Sequence, residues 1–139
     1  MGNLTDDRLK ELLTNAKTVV IVGASNKEDR ASNGIMKYLM KNGYDCYPVN
    51  PVEETVLGVK AYDSIAEVPV TPDIVDVFRR SEHAPDITRS AIEKGAGFIW
   101  LQEEVKSEEA KKMAEYADVP FVMDKCIFKE MMRLGLYGS

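Results

Sequence analysis

The chain has 139 residues, of which 45% are hydrophobic and 29% are charged, the size and composition of one globular domain with a sizeable core. The formal net charge is −5 and no Lys/Arg-rich block occurs, which gives little support to sequence-independent binding along nucleic acid. Two cysteines are too few for a secreted disulfide framework, no apolar run is long enough to cross a membrane, and Met1–Lys10 lacks the apolar region of a signal peptide. We therefore predict a single cytoplasmic domain over residues 1–139 that has neither nucleic acid nor membrane as a partner.

Strand-like and helix-like patterns alternate along the chain from its first residues. Leucines at helical spacing within residues 9–13 predict an N-terminal helix, and the β-branched run 18–22 predicts a first buried strand. The next helix is predicted to start at Ser32 as N-cap and to end at Gly43. A second strand is expected at 44–49.

The second half of the chain repeats the same strand and helix unit. Further strands are predicted at 56–62 on the sheet edge, 73–78, 98–101 and 120–123. The helices that follow the last three strands are predicted to begin at Ser81, Ser107 and Asp124 as caps. This alternation predicts an α/β fold with a single doubly wound, Rossmann-like parallel sheet in the order 3-2-1-4-5-6, with helices on both faces.

The loop after the first strand suits a phosphate better than a dinucleotide. A G-x-G-x-x-G fingerprint is absent, because position 25 is serine and the predicted helix starts several residues later. Gly23 permits close backbone approach, Ser25 offers a hydroxyl and Arg30 offers a charged fork, while the helix after Ser32 presents free N–H groups. The alternative is a polar surface loop with a capping serine.

The loop after the second strand carries Asn50 and Pro51 in place of the acid that NAD-binding domains use for the adenosine ribose. A neutral amide tolerates a phosphorylated ribose, which a carboxylate would repel. The alternative, which is compatible with the first, is that the Asn-Pro pair ends the strand.

The loop after the strand at 73–78 combines an aromatic ring with two cations. Phe78 is suited to packing on a flat ring, and an arginine such as Arg79 or Arg80 binds phosphate in a bidentate manner. The alternative is that an arginine pairs with a surface acid, a role that we favour for Arg80 over Arg79.

The remaining reactive side chains give little support to catalysis. His83 is the single histidine, so a two-histidine metal site and a histidine relay are excluded, and no metal site is predicted. We interpret Cys46 as a packing residue. Cys126 is predicted in a first helical turn, where redox reactivity stays open.

Five motifs taken together closely resemble the stand-alone CoA-binding protein family. They are Val22-Gly23-Ala24-Ser25, Arg30-Ala31-Ser32-Asn33-Gly34, Tyr47-Pro48-Val49-Asn50-Pro51, the segment 73–82 and Met123-Asp124-Lys125-Cys126-Ile127. These small proteins are similar to the N-terminal CoA-binding Rossmann domain of the succinyl-CoA synthetase α subunit. The resemblance covers residues 15–134.

The resemblance implies a role for most residues of the three loops. Ala24, Ser25 and Arg30 would hold the CoA phosphates, Asn50 and Pro51 would border the adenosine, and Phe78 and Arg79 would lie across from them. The predicted cofactor-binding set is Gly23, Ala24, Ser25, Arg30, Ser32, Asn33, Asn50, Pro51, Phe78 and Arg79.

The chain departs from the family at Glu103-Glu104-Val105, where related sequences usually have an apolar residue and a glycine. If this loop lines the path of the pantetheine arm, its two acids would narrow or re-route that path.

Three functions follow as hypotheses. The first is non-catalytic binding of coenzyme A or a short acyl-CoA, since no Ser-His-Asp set or P-loop lysine motif occurs. The second is an NAD(P)-dependent oxidoreductase or nicotinamide-sensing domain. The third is a redox role in which Cys126 forms a mixed disulfide with the CoA thiol.

Overall fold

The computed structural model describes residues 4–137, so the ends of the predicted domain, 1–3 and 138–139, lie outside it. The strands are β1 (Thr18–Val22), β2 (Asp45–Val49), β3 (Thr55–Val56), β4 (Val59–Lys60), β5 (Ile74–Val77), β6 (Ile99–Leu101) and β7 (Phe121–Val122). Five of them form a parallel sheet in the order β2-β1-β5-β6-β7. The helices are α1 (Asp6–Asn15), α2 (Ala31–Lys41), α3 (Ala84–Lys94), α4 (Glu108–Tyr116) and α5 (Ile127–Arg133).

The sheet is covered on both faces, as the alternating patterns predict. Along β1, Val19 and Ile21 face a core that includes residues of α1, α2 and α5. Val20 and Val22 face a second core that includes residues of α3 and α4. The predicted doubly wound α/β architecture is confirmed. Within residues 4–137 no helix has the length and apolarity needed to cross a bilayer.

The predicted edge strand at 56–62 is wrong as a member of the main sheet. β3 and β4 instead pair with each other in an antiparallel hairpin, because Leu57 and Gly58 both adopt positive φ, at 51° and 78°, and turn the chain back on itself. Only Tyr62 reaches the sheet, through an isolated parallel bridge to Val49. The other five predicted strands occur in the predicted order.

The first turn of α2 differs from the prediction. Ser32 is not its N-cap; the cap position lies two residues earlier, at Arg30, which makes no side-chain cap hydrogen bond. The prediction at Ser107 is confirmed, since its Oγ accepts a hydrogen bond of 3.0 Å from the Ala110 backbone N–H. The start of α2 therefore keeps its first backbone N–H groups uncapped by side chains.

Ser81 and Asp124 are also wrong as predicted caps, because both side chains link neighbouring loops. The Ser81 hydroxyl accepts from the Lys106 backbone N–H at 2.9 Å and donates to the Glu104 carbonyl at 3.3 Å. Asp124 Oδ1 accepts from the Glu104 backbone N–H at 2.8 Å. Cys126 is the N-cap residue of α5. These bonds fix the loop after β6 against its neighbours.

Candidate functional site

A cavity of about 820 Å³ lies at the carboxyl edge of the sheet, where β1 and β5 are adjacent and the strand order reverses. This volume and position are typical of ligand sites in doubly wound sheets. Nine of the ten predicted site residues line it: Gly23, Ala24, Ser25, Arg30, Ser32, Asn50, Pro51, Phe78 and Arg79. The structure thus brings together three loops that are distant in the chain.

Asn33 is the predicted site residue that does not line the cavity. The residue is 1% exposed, and its Nδ2 donates to the Ser25 carbonyl at 2.9 Å. Asn33 therefore fixes the loop after β1 through a hydrogen bond and does not itself face the cavity.

The segment around the start of α2 offers several hydrogen-bond donors to the cavity. Ala31 and Ser32 both line it, and backbone N–H groups in the first turn of a helix have no intrahelical acceptor. The Ser32 hydroxyl makes no hydrogen bond to a described residue. Ser25 Oγ accepts from the Lys27 backbone N–H at 3.0 Å, which leaves its own O–H free to donate. This arrangement suits an anionic oxygen.

The arginines at the rim differ in their partners. Arg30 and Arg79 line the cavity, are exposed, and form no ion pair with residues 4–137. Arg80 lies 3.9 Å from Glu82, with both side chains exposed, an arrangement worth about 0–1 kcal/mol. The surface pairing that we favoured for Arg80 is therefore present.

The cavity is locally richer in positive charge than the chain. Its four cationic residues are Lys27, Arg30, Arg79 and Arg80, and its three acidic residues are Glu53, Asp63 and Glu103. The whole chain carries −5. A local excess of cations favours an anionic ligand.

Asn50 uses its side chain within the protein. Its Nδ2 donates to the Ala24 carbonyl at 2.8 Å, and its Oδ1 accepts from the backbone N–H groups of Val52 and Glu53 at 2.8 and 3.1 Å. β2 ends at the preceding residue, so the predicted role as a strand terminator is confirmed. Glu53 also lines the cavity, an acid that sequence reasoning missed because it lies beyond the strand end.

The cavity extends beyond the predicted set to Gln102, Glu103 and Val105 on the loop after β6 and to Cys126 at the start of α5. Sequence reasoning assigned no role to Gln102. Its amide Oε1 accepts from the Ile127 backbone N–H at 3.1 Å. Sequence reasoning could have found Gln102 from its position directly after the buried strand β6.

The two acids of this loop behave differently. Glu103 lines the cavity and pairs with Lys129 at 3.0 Å, a hydrogen bond that raises the pKa of Lys129. Glu104 does not line the cavity. It adopts a φ of +70°, the conformation for which glycine is best suited. Of the two acids that we expected along the ligand path, Glu103 lines the cavity and Glu104 does not.

The two cysteines are in different environments. Cys46 lies in β2 and faces the core, where burial, followed by the neighbouring Asp76 and Asp45, raises the pKa of its thiol to about 12. Cys126 is 8% exposed and lines the cavity.

Asp76 is a buried acid that sequence reasoning left without a role. It lies in β5 between Ile21 and Trp100 on the adjacent strands and is fully buried. Neither carboxylate oxygen has a hydrogen-bond partner among the described residues. Burial raises the pKa of Asp76 well above its usual range.

Fold and site together define a Rossmann-like α/β domain with an anion-receptive cavity at the switch point of its sheet. A family model described as a CoA binding domain matches residues 17–132. The chain belongs to this family, and the predicted family resemblance is confirmed.

The chain matches nearly the whole length of some relatives and only a segment of others. The chain is 38% identical to the uncharacterized protein YneT of Bacillus subtilis over 91% of this chain and 94% of that protein. It is 34% identical to the acetate–CoA ligase [ADP-forming] II subunit alpha of Pyrococcus furiosus, over 74% of this chain and only 24% of the subunit. The structure of a hypothetical protein from Pyrococcus horikoshii OT3 superposes with a TM-score of 0.91 at 41% identity, covering 94% of this chain and 92% of that one.

Proposed function

We propose that this protein binds coenzyme A or a short acyl-CoA in the cavity and does so without catalysing a reaction. The observation that carries the proposal is the meeting of Ser25, Arg30 and Arg79 at one cavity, with both arginines free of acidic partners within residues 4–137. Membership of the CoA binding domain family supports the same ligand.

The proposed phosphate contacts use charge and hydrogen bonding together. CoA carries a pyrophosphate and a 3′-phosphate, and arginine binds phosphate oxygens through paired N–H donors. Arg30 and Arg79 supply two such groups, while Ser25 and Ser32 add hydroxyls and the first turn of α2 adds backbone N–H groups. The ligand is therefore expected to lie with its phosphates near the start of α2.

The adenosine part is assigned to the neighbouring loops. Phe78 is partly exposed at the cavity, and its ring can stack against adenine. Asn50 and Pro51 border the same space. Catalysis is not part of the proposal, because His83 does not line the cavity.

Calorimetric titration of the purified protein with CoA, dephospho-CoA, NAD and NADP tests the ligand. We expect CoA to bind most tightly, and dephospho-CoA to bind more weakly because it lacks the 3′-phosphate that the arginines would contact. Tighter binding of NAD than of CoA would overturn the proposal in favour of the oxidoreductase or nicotinamide-sensing alternative.

A charge-matched pair of variants tests the site. Arg30→Ala is expected to weaken CoA binding by about ten- to hundredfold, the equivalent of about 1.5–3 kcal/mol for a charge-assisted hydrogen bond. Arg89→Ala removes the same charge from α3, where Arg89 pairs with Asp86 at 2.9 Å outside the cavity, and is expected to bind CoA normally. Equal losses in both variants would show that only net charge matters.

A further inference from the structure

Gln102 is the one side-chain amide of the cavity that lies on the loop after β6, and its orientation is determined by a backbone donor. The residue is 5% exposed and lines the cavity. Its neighbour in α5, the Ile127 backbone N–H, can only donate, so the atom that it contacts at 3.1 Å is the amide oxygen. The amide nitrogen therefore is not the atom that bonds to this N–H.

The amide nitrogen of Gln102 has no acceptor among the described residues. It is not fully buried, and the residue that carries it lines the cavity. Nearly all buried polar groups in proteins have a partner. Glu103, the acid nearest in sequence, is bonded to Lys129 at 3.0 Å, and the other lining residues of this end are Val105 and Cys126. A donor in these surroundings suits a neutral acceptor rather than a phosphate.

We propose that Gln102 Nε2 donates a hydrogen bond to a neutral carbonyl oxygen of the bound ligand, either an amide carbonyl of the pantetheine arm or the thioester carbonyl of an acyl-CoA. This inference rests on the proposed function. The cationic groups of the cavity lie on the loops after β1 and β5, whereas the loop after β6 offers this neutral donor. The ligand's phosphates and its carbonyl groups are then held by different loops.

Two variants of Gln102 separate this contact from the fold. Gln102→Glu keeps an oxygen for the Ile127 N–H and removes the amide donor with almost no change in shape. Gln102→Met removes the donor without adding charge. Binding of CoA, acetyl-CoA and adenosine 3′,5′-bisphosphate, which lacks the pantetheine arm, is measured by calorimetry for each variant, with thermal melting as the check on folding.

Gln102→Met is expected to lose about three- to tenfold in affinity for acetyl-CoA, which carries both candidate carbonyl groups, the range of one neutral hydrogen bond. Gln102→Glu is expected to lose at least as much, because it also adds a negative charge. Adenosine 3′,5′-bisphosphate is expected to bind the neutral variant Gln102→Met as it binds the unmodified protein. A larger loss for acetyl-CoA than for CoA identifies the thioester carbonyl as the acceptor, whereas equal losses identify a pantetheine amide.

Normal binding of both CoA and acetyl-CoA by both variants would overturn the inference and leave the proposed function intact. Equal losses for acetyl-CoA and the bisphosphate in Gln102→Met would also overturn it, because the effect would then act through the fold. If the unmodified protein bound neither compound, the proposed function itself would fail. Should Gln102→Met not fold, Gln102→Glu carries the test through the ratio of acetyl-CoA to bisphosphate affinity.

Discussion

Gly23 is expected to be required by the protein's own packing, and Gly23→Ala tests this. The residue adopts a φ of +88° directly after β1. A Cβ built there would lie 3.1 Å from Arg79 Cδ and 3.3 Å from the carbonyl carbon and oxygen of Phe78. The Phe78 backbone is held by its N–H, which donates to the Val22 carbonyl at 2.9 Å, so it cannot readily move away.

Two terms contribute to the expected destabilisation. A non-glycine residue in the left-handed region costs about 1–3 kcal/mol, and overpacking against the Phe78 backbone adds about 1 kcal/mol at the low end of its range. The sum is about 2–4 kcal/mol, which corresponds to a fall in Tm of roughly 6–15 °C for a chain of this length. Displacement of Arg79 is also expected to weaken CoA binding.

Thermal and urea unfolding measure this effect, and Gly34→Ala provides a matched control. Gly34 lies within α2, and a Cβ built there meets nothing within 4 Å. The control is therefore expected to gain about 0.5–1 kcal/mol, because alanine is the better helix former. If Gly23→Ala unfolded at the temperature of the unmodified protein, the packing explanation would be refuted.

Three further predictions concern single side chains. Burial raises the pKa of Asp76, so the free energy of unfolding is expected to fall by about 1.4 kcal/mol per pH unit as pH rises from the usual carboxyl pKa towards the raised one. Urea unfolding of Asp76→Asn at several pH values should lack this fall. A difference in unfolding free energy between the two proteins that stayed constant with pH would contradict the prediction. Glu104→Gly relieves a φ of +70° and is expected to gain about 0.5–1 kcal/mol in urea unfolding, whereas an equal gain in Glu104→Ala would point to charge. Incubation with CoA disulfide is expected to place one CoA on Cys126 with release of free CoA, and intact mass with peptide mapping would contradict this if the adduct lay on Cys46.

Much of the fold could be predicted because the strands and most helix ends depend on local patterns. The apolar run of β1 and the left-handed glycines after α2 and α3, Gly43 and Gly95, carry their signals within a few residues. The edge strand failed because a two-residue turn at Leu57 and Gly58 competes with sheet pairing. The residue pattern of this segment is the same for a hairpin and for an edge strand of the main sheet, so periodicity could not distinguish them.

The helix starts show why side-chain roles are harder to predict than elements. Ser107 caps α4 through a partner three residues away, a contact that spacing can predict. Ser81 bonds to Lys106, 25 residues away, and Asp124 bonds to Glu104, 20 residues away. A polar residue before a helix can satisfy either kind of partner, and only the tertiary structure decides between them.

Three of the loops at the cavity edge are held by side-chain amides. Asn33 bonds to the Ser25 carbonyl, Asn50 bonds to the Ala24 carbonyl, and Gln102 accepts from the Ile127 N–H. An amide can donate and accept without carrying charge, so it fixes a loop without repelling an anion nearby, as a carboxylate in the same place would. The choice of amides over acids at Asn33 and Asn50 therefore serves the fold and the proposed phosphate site together.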